Sequence, residues 1–408
     1  MTNTTRLPKL RIEMNQNLSS MKLTDAEGKE HVISCELGDS SLSEIRRALR
    51  RTLDEMKKLL RRDEDEPPLT IEDASRALSL LHIRGVSTMV QVFGTERERV
   101  TEVFRRSFPQ WSTKSGPVTF LVSADLSRVL PLEFLPLFDL SQWPPCLSLA
   151  DLETAARRFP GFSAIIRRQF FNLNVHQDLV LQNEPKLPLK CFVENSLPGA
   201  SMEIGFFRAN HHSIDIDGPW PTSKLPDFAR DLAGHLQSGR TRFNGSQKIP
   251  GDQIQHFICH CLTDEEVASD SSLILSDANK ATIAQLQASL KPPSQIDQSD
   301  PAPLVFLNAC GSSRMDPLAA TSFPKFFLRD SGSRGYIGTE TNIPDRFAAE
   351  FSRCFYQGLL TGRKLGEAIY EAKLTMLRTH CNPLGILYTV YADPNIGVSA
   401  PIKTINST

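Results

Sequence analysis

The sequence predicts an α/β fold with a mostly parallel sheet and helices on both faces, and three observations lead there. First, from about Leu189 apolar runs of strand length alternate with amphipathic stretches of helical spacing. Second, the strand candidates LKCFVEN, IQHFICH, PLVFLNAC and RGYIGT are separated by helical segments over 224–237 and 281–290. Each parallel neighbour needs a crossover, so this alternation lays helices on both faces of a parallel sheet. Third, at 408 residues and 45.6 kDa the chain is long enough for two or three domains, each with its own core.

Taken in order, LRIEM and HVISCEL read as the two strands of a β-hairpin, with Asp25 and Gly28 supplying turn chemistry between them. From Leu42, apolar residues at Ile45, Leu49, Leu53, Met56 and Leu60 fall on one helical face, and arginines and lysines fill the rest. That helix stops before Pro67-Pro68. A second helix is predicted over 71–81, and Gly85 divides it from a further helical run through Val103 and Phe104. VTFLVS reads as a buried strand, and Glu133, isolated in LPLEFLPLFD, as a hydrogen-bonded structural carboxylate. Near the C-terminus Phe347, Phe351, Phe355 and Leu359 recur at four, Gly362 terminates, and Leu365, Ile369 and Ala372 continue a second helix. The expected organisation is 1–185, 186–398 and a tail over 399–408, with the boundary between 183 and 188.

Composition excludes several classes. Lys+Arg 46 against Asp+Glu 47 leaves no basic excess to draw nucleic acid or anionic lipid. Hydrophobic content of 40% with 23% charged residues is ordinary globular usage, not disorder. No apolar run approaches a bilayer span, and MTNTTRLPKL has no signal-peptide core, so a cytoplasmic address is expected. The eight cysteines lack framework spacing and read as thiols. There is no G-x-G-x-x-G and no phosphate-binding loop motif, so no nucleotide cofactor is expected.

Chemistry is expected at two strand ends. IQHFICH finishes on His260, and PLVFLNAC finishes on Cys310, followed by Gly311-Ser312-Ser313. In open α/β sheets reacting groups collect at the carboxyl ends of strands. A histidine beside a thiol can hold it as thiolate and later protonate a leaving amine, while backbone N–H groups next to the nucleophile receive an oxyanion. A zinc site from His256, Cys259, His260 and Cys261 fails on geometry: in a strand the two histidines stand roughly 13 Å apart, too far for one ion. His211-His212 reads as a surface or turn pair. No metal is assigned.

The ordered set LPLEFL, QHFICHC, SSLILSD, VFLNACGSS, RGYIGTETNIPDRFAAEFSRCFYQGLLTGRKLGEAI and NPL with YTVYADP resembles the CHAT domain family of caspase-like cysteine peptidases, relatives of caspases and separases. The resemblance implies a caspase-like sheet, preceded within 1–185 by a catalytically empty caspase-like half. It implies His260 as catalytic histidine, Cys310 as nucleophile, and the backbone N–H groups of Cys261 and Gly311 as oxyanion donors. The family usually has glycine where this chain has Cys261, and often glycine where it has Ala392. It further implies a protein substrate, an activating sensor protein or subunit, and a place in regulated bacterial defence or cell death. For specificity, Asp345 and Glu340 are candidates to line a pocket for a basic side chain; Asp345 reads equally as a helix N-cap. A caspase-like module that binds peptides without cleaving them is the alternative from another class.

Overall fold

The computed structural model describes residues 10–15, 19–35, 37–61, 67–112, 116–125, 129–170, 179–182, 186–238, 241–244, 247–262, 267–291, 302–309 and 322–399. Cys310 and Gly311 lie outside them. The described chain forms two compact units, one from residues 1–173 with 369–387, the other from the stretch between these segments and the chain beyond 387.

The first unit holds a five-stranded sheet in the order β3-β2-β1-β4-β5. Its strands are β1 (Leu10–Met14), β2 (Ser20–Asp25), β3 (Glu30–Ser34), β4 (Val118–Ala124) and β5 (Ala164–Phe170). The expected hairpin of LRIEM with HVISCEL is corrected: Ser20–Asp25 is itself a strand and lies between them, antiparallel to both. Met21 and Leu23 alternate inward, the period-2 pattern that a reading focused on the flanking runs passed over. The turn falls between β2 and β3, where Asp25 Oδ1 accepts from the backbone N–H of Glu27 and Lys29, and Gly28 supplies a φ of 81°. β4 and β5 then add in parallel.

Helices α1 (Asp39–Leu60), α2 (Ile71–Phe93), α3 (Arg97–Ser107), α4 (Leu149–Ala156) and α5 (Pro160–Ser163) complete this unit's local elements. α1 buries Leu42, Ile45, Leu49, Leu53, Met56 and Leu60, the face its spacing predicted. α2 starts at a capping box between Thr70 and Asp73 and runs unbroken through Gly85, ending at Gly94. Gly85 is therefore no helix breaker. A Cβ there would stand 2.6 Å from Pro136 Cδ and 2.9 Å from the Phe134 carbonyl, so glycine is needed for close approach. Helix propensity alone favours Gly85→Ala by about 1 kcal/mol. The packing clash costs roughly 1–3 kcal/mol and involves backbone that cannot rotate away. A net loss is expected in urea denaturation, and an unchanged or higher midpoint would contradict the packing argument.

Residues 369–387 bring buried charge into this unit. Glu133 pairs with Arg168, both side chains almost fully buried. Burial pushes the Glu133 carboxyl up, but Arg168 and Lys373 outweigh it and hold it below the usual range. Burial pushes the Lys373 ammonium down to about 8 against the pull of Glu133. Glu153 accepts from Arg378 and Arg157, which together hold it down to about 2.

The second unit is built on an eight-stranded sheet. In chain order its elements are β6 (Val180–Leu181), β7 (Leu187–Val193), α6 (Pro198–Ala209), β8 (Ile214–Trp220), α7 (Phe228–Ser238), β9 (Thr241–Asn244), β10 (Gln247–Pro250) and β11 (Ile254–Leu262). There follow β12 (Ser272–Leu275), β13 (Asn279–Thr282), α8 (Ile283–Ser289), β14 (Leu304–Ala309), α9 (Phe323–Lys325), β15 (Gly335–Thr339), α10 (Asp345–Leu360), β16 (Tyr388–Tyr391) and β17 (Gly397–Val398), while α11 (Leu365–His380), between α10 and β16 in sequence, belongs from Ile369 on to the first unit. Strands β8, β7, β11, β14 and β15 are mutually parallel, and β16 closes that edge antiparallel. β9 with β10, and β17 with β6, form separate two-stranded pairs.

Neighbouring residues of β11 show that helices cover both faces. Gln255 donates to the His235 carbonyl on α7, whereas His256 meets Glu203 of α6 and Tyr356 of α10. The mostly parallel α/β sheet is thus as predicted, with β12 and β13 as an antiparallel hairpin appended to β11. Gly335 approaches Ala392 so closely that a Cβ would stand 2.5 Å from the alanine Cβ, which gives Ala392 a packing role.

Candidate active site at the ends of β11 and β14

The ladder of β11 with β7 ends at Val193↔Ile258, and among the described residues its ladder with β14 runs to Cys259↔Ala309. Beyond the β7 ladder, His260↔Ile274 is paired to the antiparallel β12. His260 therefore sits at the carboxyl end of β11, past its parallel pairing with β7. Strand alternation buries Cys259 and Cys261 and leaves His260 exposed. Cys261 lies in the extended ladder opposite Leu273, a conformation that does not require glycine. Ala309 is the last described residue before Cys310.

A pocket opens at this edge between α6, the ends of β11 and β14, and the start of α10. Leu197, Ala200, Ile258, Ile343 and Ala348 make its wall apolar, and Glu203, Asn308 and Asp345 are its polar groups. Asp345 is the first residue of α10; the capping position belongs to Pro344, which makes no side-chain cap. The carboxylate is thus free of the N-cap duty the sequence allowed it, and the partial positive charge of a helix N-terminus favours an anion there. Asp345 is half-buried, and burial raises its carboxyl above the usual range while the charge of His260 pulls it back. The two residues therefore share one electrostatic environment. Gly199 lets α6 approach: a Cβ on it would stand 2.6 Å from the Asp345 carbonyl.

Glu340 is placed differently. It is buried, accepts from Thr389 Oγ1 at 3.1 Å and from the Tyr391 hydroxyl at 3.5 Å, and is not among the residues lining the pocket.

Beneath the pocket lies a buried polar network that the sequence did not disclose. Glu203 Oε2 is 2.7 Å from His256 Nε2, and Glu203 Oε1 accepts from Asn308 Nδ2 at 2.9 Å. His256 Nδ1 is 3.0 Å from the Tyr356 hydroxyl, which burial keeps protonated by pushing its pKa well up. Asn308 Nδ2 also donates to the Ala348 carbonyl at 3.2 Å, and Asn308 Oδ1 accepts from the Tyr388 hydroxyl at 2.6 Å. Thr339 Oγ1 donates to the Ala309 carbonyl at 2.6 Å. Both ring nitrogens of His256 are engaged, so its place in the sequence pattern around Cys259 reflects this network. Glu203 was missed because α6 itself was not predicted; its Pro-Gly start disguises the helix, although proline suits a first helical turn. Among the described residues, no three His, Cys, Asp or Glu side chains gather as a metal would require. Among the described residues, no helix is long and apolar enough to cross a membrane.

Residues 240–396, which contain β11, β14 and the start of α10, match the CHAT domain family. A stretch of 93 residues is 37% identical to a probable protease of Vitiosangium sp. (strain GDMCC 1.1324), covering 22% of this chain and only 12% of that protein. Two solved structures are similar over larger shares. The complex of Porphyromonas gingivalis RgpB pro- and mature domains aligns over 73% of this chain and 69% of that chain at 11% identity and a TM-score of 0.43. The Saccharomyces cerevisiae separase–securin complex aligns over 96% of this chain and 30% of that chain at 10% identity and a TM-score of 0.44. His260, the Asn308-Ala309 strand end and Asp345 all fall inside the matched segment, while Glu203 lies upstream of it.

Proposed function

We propose that the chain is a caspase-like cysteine endopeptidase in which Cys310 is the nucleophile and His260 the general base and acid. The observation that carries this reading is the register of β11 on β14. The last described pair of their parallel ladder is Cys259↔Ala309, and the residues that follow in sequence are His260 and Cys310. The CHAT domain match and the relative named a probable protease point the same way.

In this reading His260 takes the thiol proton, the thiolate adds to the scissile carbonyl carbon, and the oxyanion is met by the backbone N–H groups of Cys261 and Gly311. The C–N bond then breaks as His260 returns the proton to the amine, and water hydrolyses the thioester. No metal or cofactor takes part. Asp345, at the mouth of α10, selects a basic residue before the scissile bond; Glu340 is the lesser candidate because Thr389 and Tyr391 already occupy its carboxylate. The first unit takes the part of a catalytically empty half, the substrate is a protein, and an activating sensor or subunit releases activity in a cytoplasmic bacterial defence or cell-death response.

Digestion of a randomised peptide library, with new N-termini read by mass spectrometry, tests this. Cleavage after Arg or Lys is expected, with at least a tenfold loss of that preference in Asp345→Asn, a hydrogen-bonded charge pair being worth roughly 1.5–3 kcal/mol. Peptides held by the protein yet left whole would instead establish a non-catalytic peptide-binding module.

A further inference from the structure

We infer that Glu203, Asn308 and Tyr388 form a clamp that fixes the end of β14 and so holds the thiol that follows it in reactive register with His260. The inference rests on the assignment of Cys310 and His260 above. Asn308 stands two residues before Cys310, and its amide is held from three sides. Glu203 on α6 and the Ala348 carbonyl on α10 take its two N–H donors, and Tyr388 on β16 donates to its oxygen. An amide bonded in this way can neither rotate nor flip. The next residue, Ala309, is held through its carbonyl by Thr339 on β15. Glu203 is in turn fixed by His256, which Tyr356 orients and the rings of Phe207 and Phe306 enclose edge-on.

All of these polar groups are buried, where apolar residues of similar volume hold a fold as well or better. What the network adds is a fixed position for one strand end. Displacements of about 1 Å at a reacting centre cost on the order of 100-fold in rate. The clamp residues are argued to act on the thiol through the strand end, as positioning residues.

Tyr388→Phe is the clean probe. Its ring stacks on Phe351 with centroids 3.6 Å apart and planes 4° from parallel, so the variant loses the hydroxyl and keeps the packing. Asn308→Asp is the harsher probe, since it replaces the donor facing Glu203 by a second acceptor. Glu203→Gln is the rescue: its Oε1 still accepts from Asn308, and its Nε2 donates to His256 Nε2 if the ring shifts its proton to Nδ1 and donates to Tyr356.

The experiment is the rate of iodoacetamide alkylation at Cys310 in the full chain, followed by peptide mass spectrometry from about pH 5 to about pH 10, a span that brackets the ordinary thiol value. The wild-type protein is expected to alkylate at low pH, and His260→Ala to lose that limb. Tyr388→Phe and Asn308→Asp are expected to lose it too, with an inflection near about 8.5 and a rate at pH 6 lower by about tenfold or more. Glu203→Gln retains the wild-type profile. Wild-type profiles in Tyr388→Phe and Asn308→Asp, with or without a lower melting temperature, would overturn the clamp and leave the dyad standing. Should Asn308→Asp not fold, Tyr388→Phe decides alone. A wild-type profile identical to that of His260→Ala would overturn the dyad assignment, and the clamp with it.

Discussion

Cys310→Ala is expected to abolish peptide hydrolysis, and His260→Ala to lower kcat/KM by roughly 10²–10⁴-fold, the range over which a positioned acid–base group acts. Both effects come from chemistry and not from folding. His260 is exposed at the end of β11, and its neighbours Cys259 and Cys261 carry the burial on that strand, so its removal leaves the core intact. The melting temperature of His260→Ala should match that of the wild-type protein. The double variant should be no worse than Cys310→Ala alone, because the imidazole has no thiol left to act on. Kinetics on any peptide the wild-type enzyme cleaves check both statements.

The largest expected effect on stability lies in the other unit, at Glu133→Leu. Glu133 is the counter-charge for Arg168 and Lys373, both buried. Removing it leaves two cations in the interior, and breaking a buried pair in this way costs about 3–5 kcal/mol. The effect has a pH signature. Lys373 titrates at about 8 in the folded chain against 10.5 for the free side chain. The unfolded chain therefore holds that proton more tightly, and stability rises as pH goes from about 8 towards 10.5, with the full cost of the charge borne below that window. Without Glu133 the ammonium loses its attraction, and the window extends to lower pH. Urea denaturation at pH 7 and pH 9 is expected to show a larger loss for Glu133→Leu at pH 7. Equal losses at both pH values would contradict the role given to Lys373.

The central strands of the second unit's sheet were legible because they are apolar and buried, β11 as far as Cys259. β7, β11, β14 and β15 each read as a continuous hydrophobic run, as strands covered on both faces do. α10 was equally plain, its phenylalanines recurring every four residues. Short elements whose pattern depends on a partner were not legible. β2 has only Met21 and Leu23 to declare its inward face, and β5 carries Arg167 and Arg168 within its seven residues. Gly85 looked like punctuation because sequence shows glycine's weakness in a helix but not the proline ring that presses on it.

The candidate site divides in the same way. His260 and Cys310 were proposed from strand ends and from family resemblance, and Asp345 from its place before a helix. The Glu203, His256, Asn308, Tyr356 and Tyr388 network was not found, because it joins residues from five elements and no spacing records that they meet. Asn308 had appeared only as a letter of the motif around Cys310; its side-chain bonds give that letter a physical reason.

The central claim is that one thiol, paired with one imidazole, does the chemistry. The most direct measurement is covalent labelling with peptide-like electrophiles carrying Arg, Asp or Leu beside the warhead, the adduct being located by mass spectrometry in the wild-type protein, Cys310→Ala and His260→Ala. The account predicts a single adduct on Cys310, fastest with Arg, strongly slowed in His260→Ala and absent in Cys310→Ala. Labelling spread over several cysteines, or labelling of Cys310 at the same rate without His260, would contradict it.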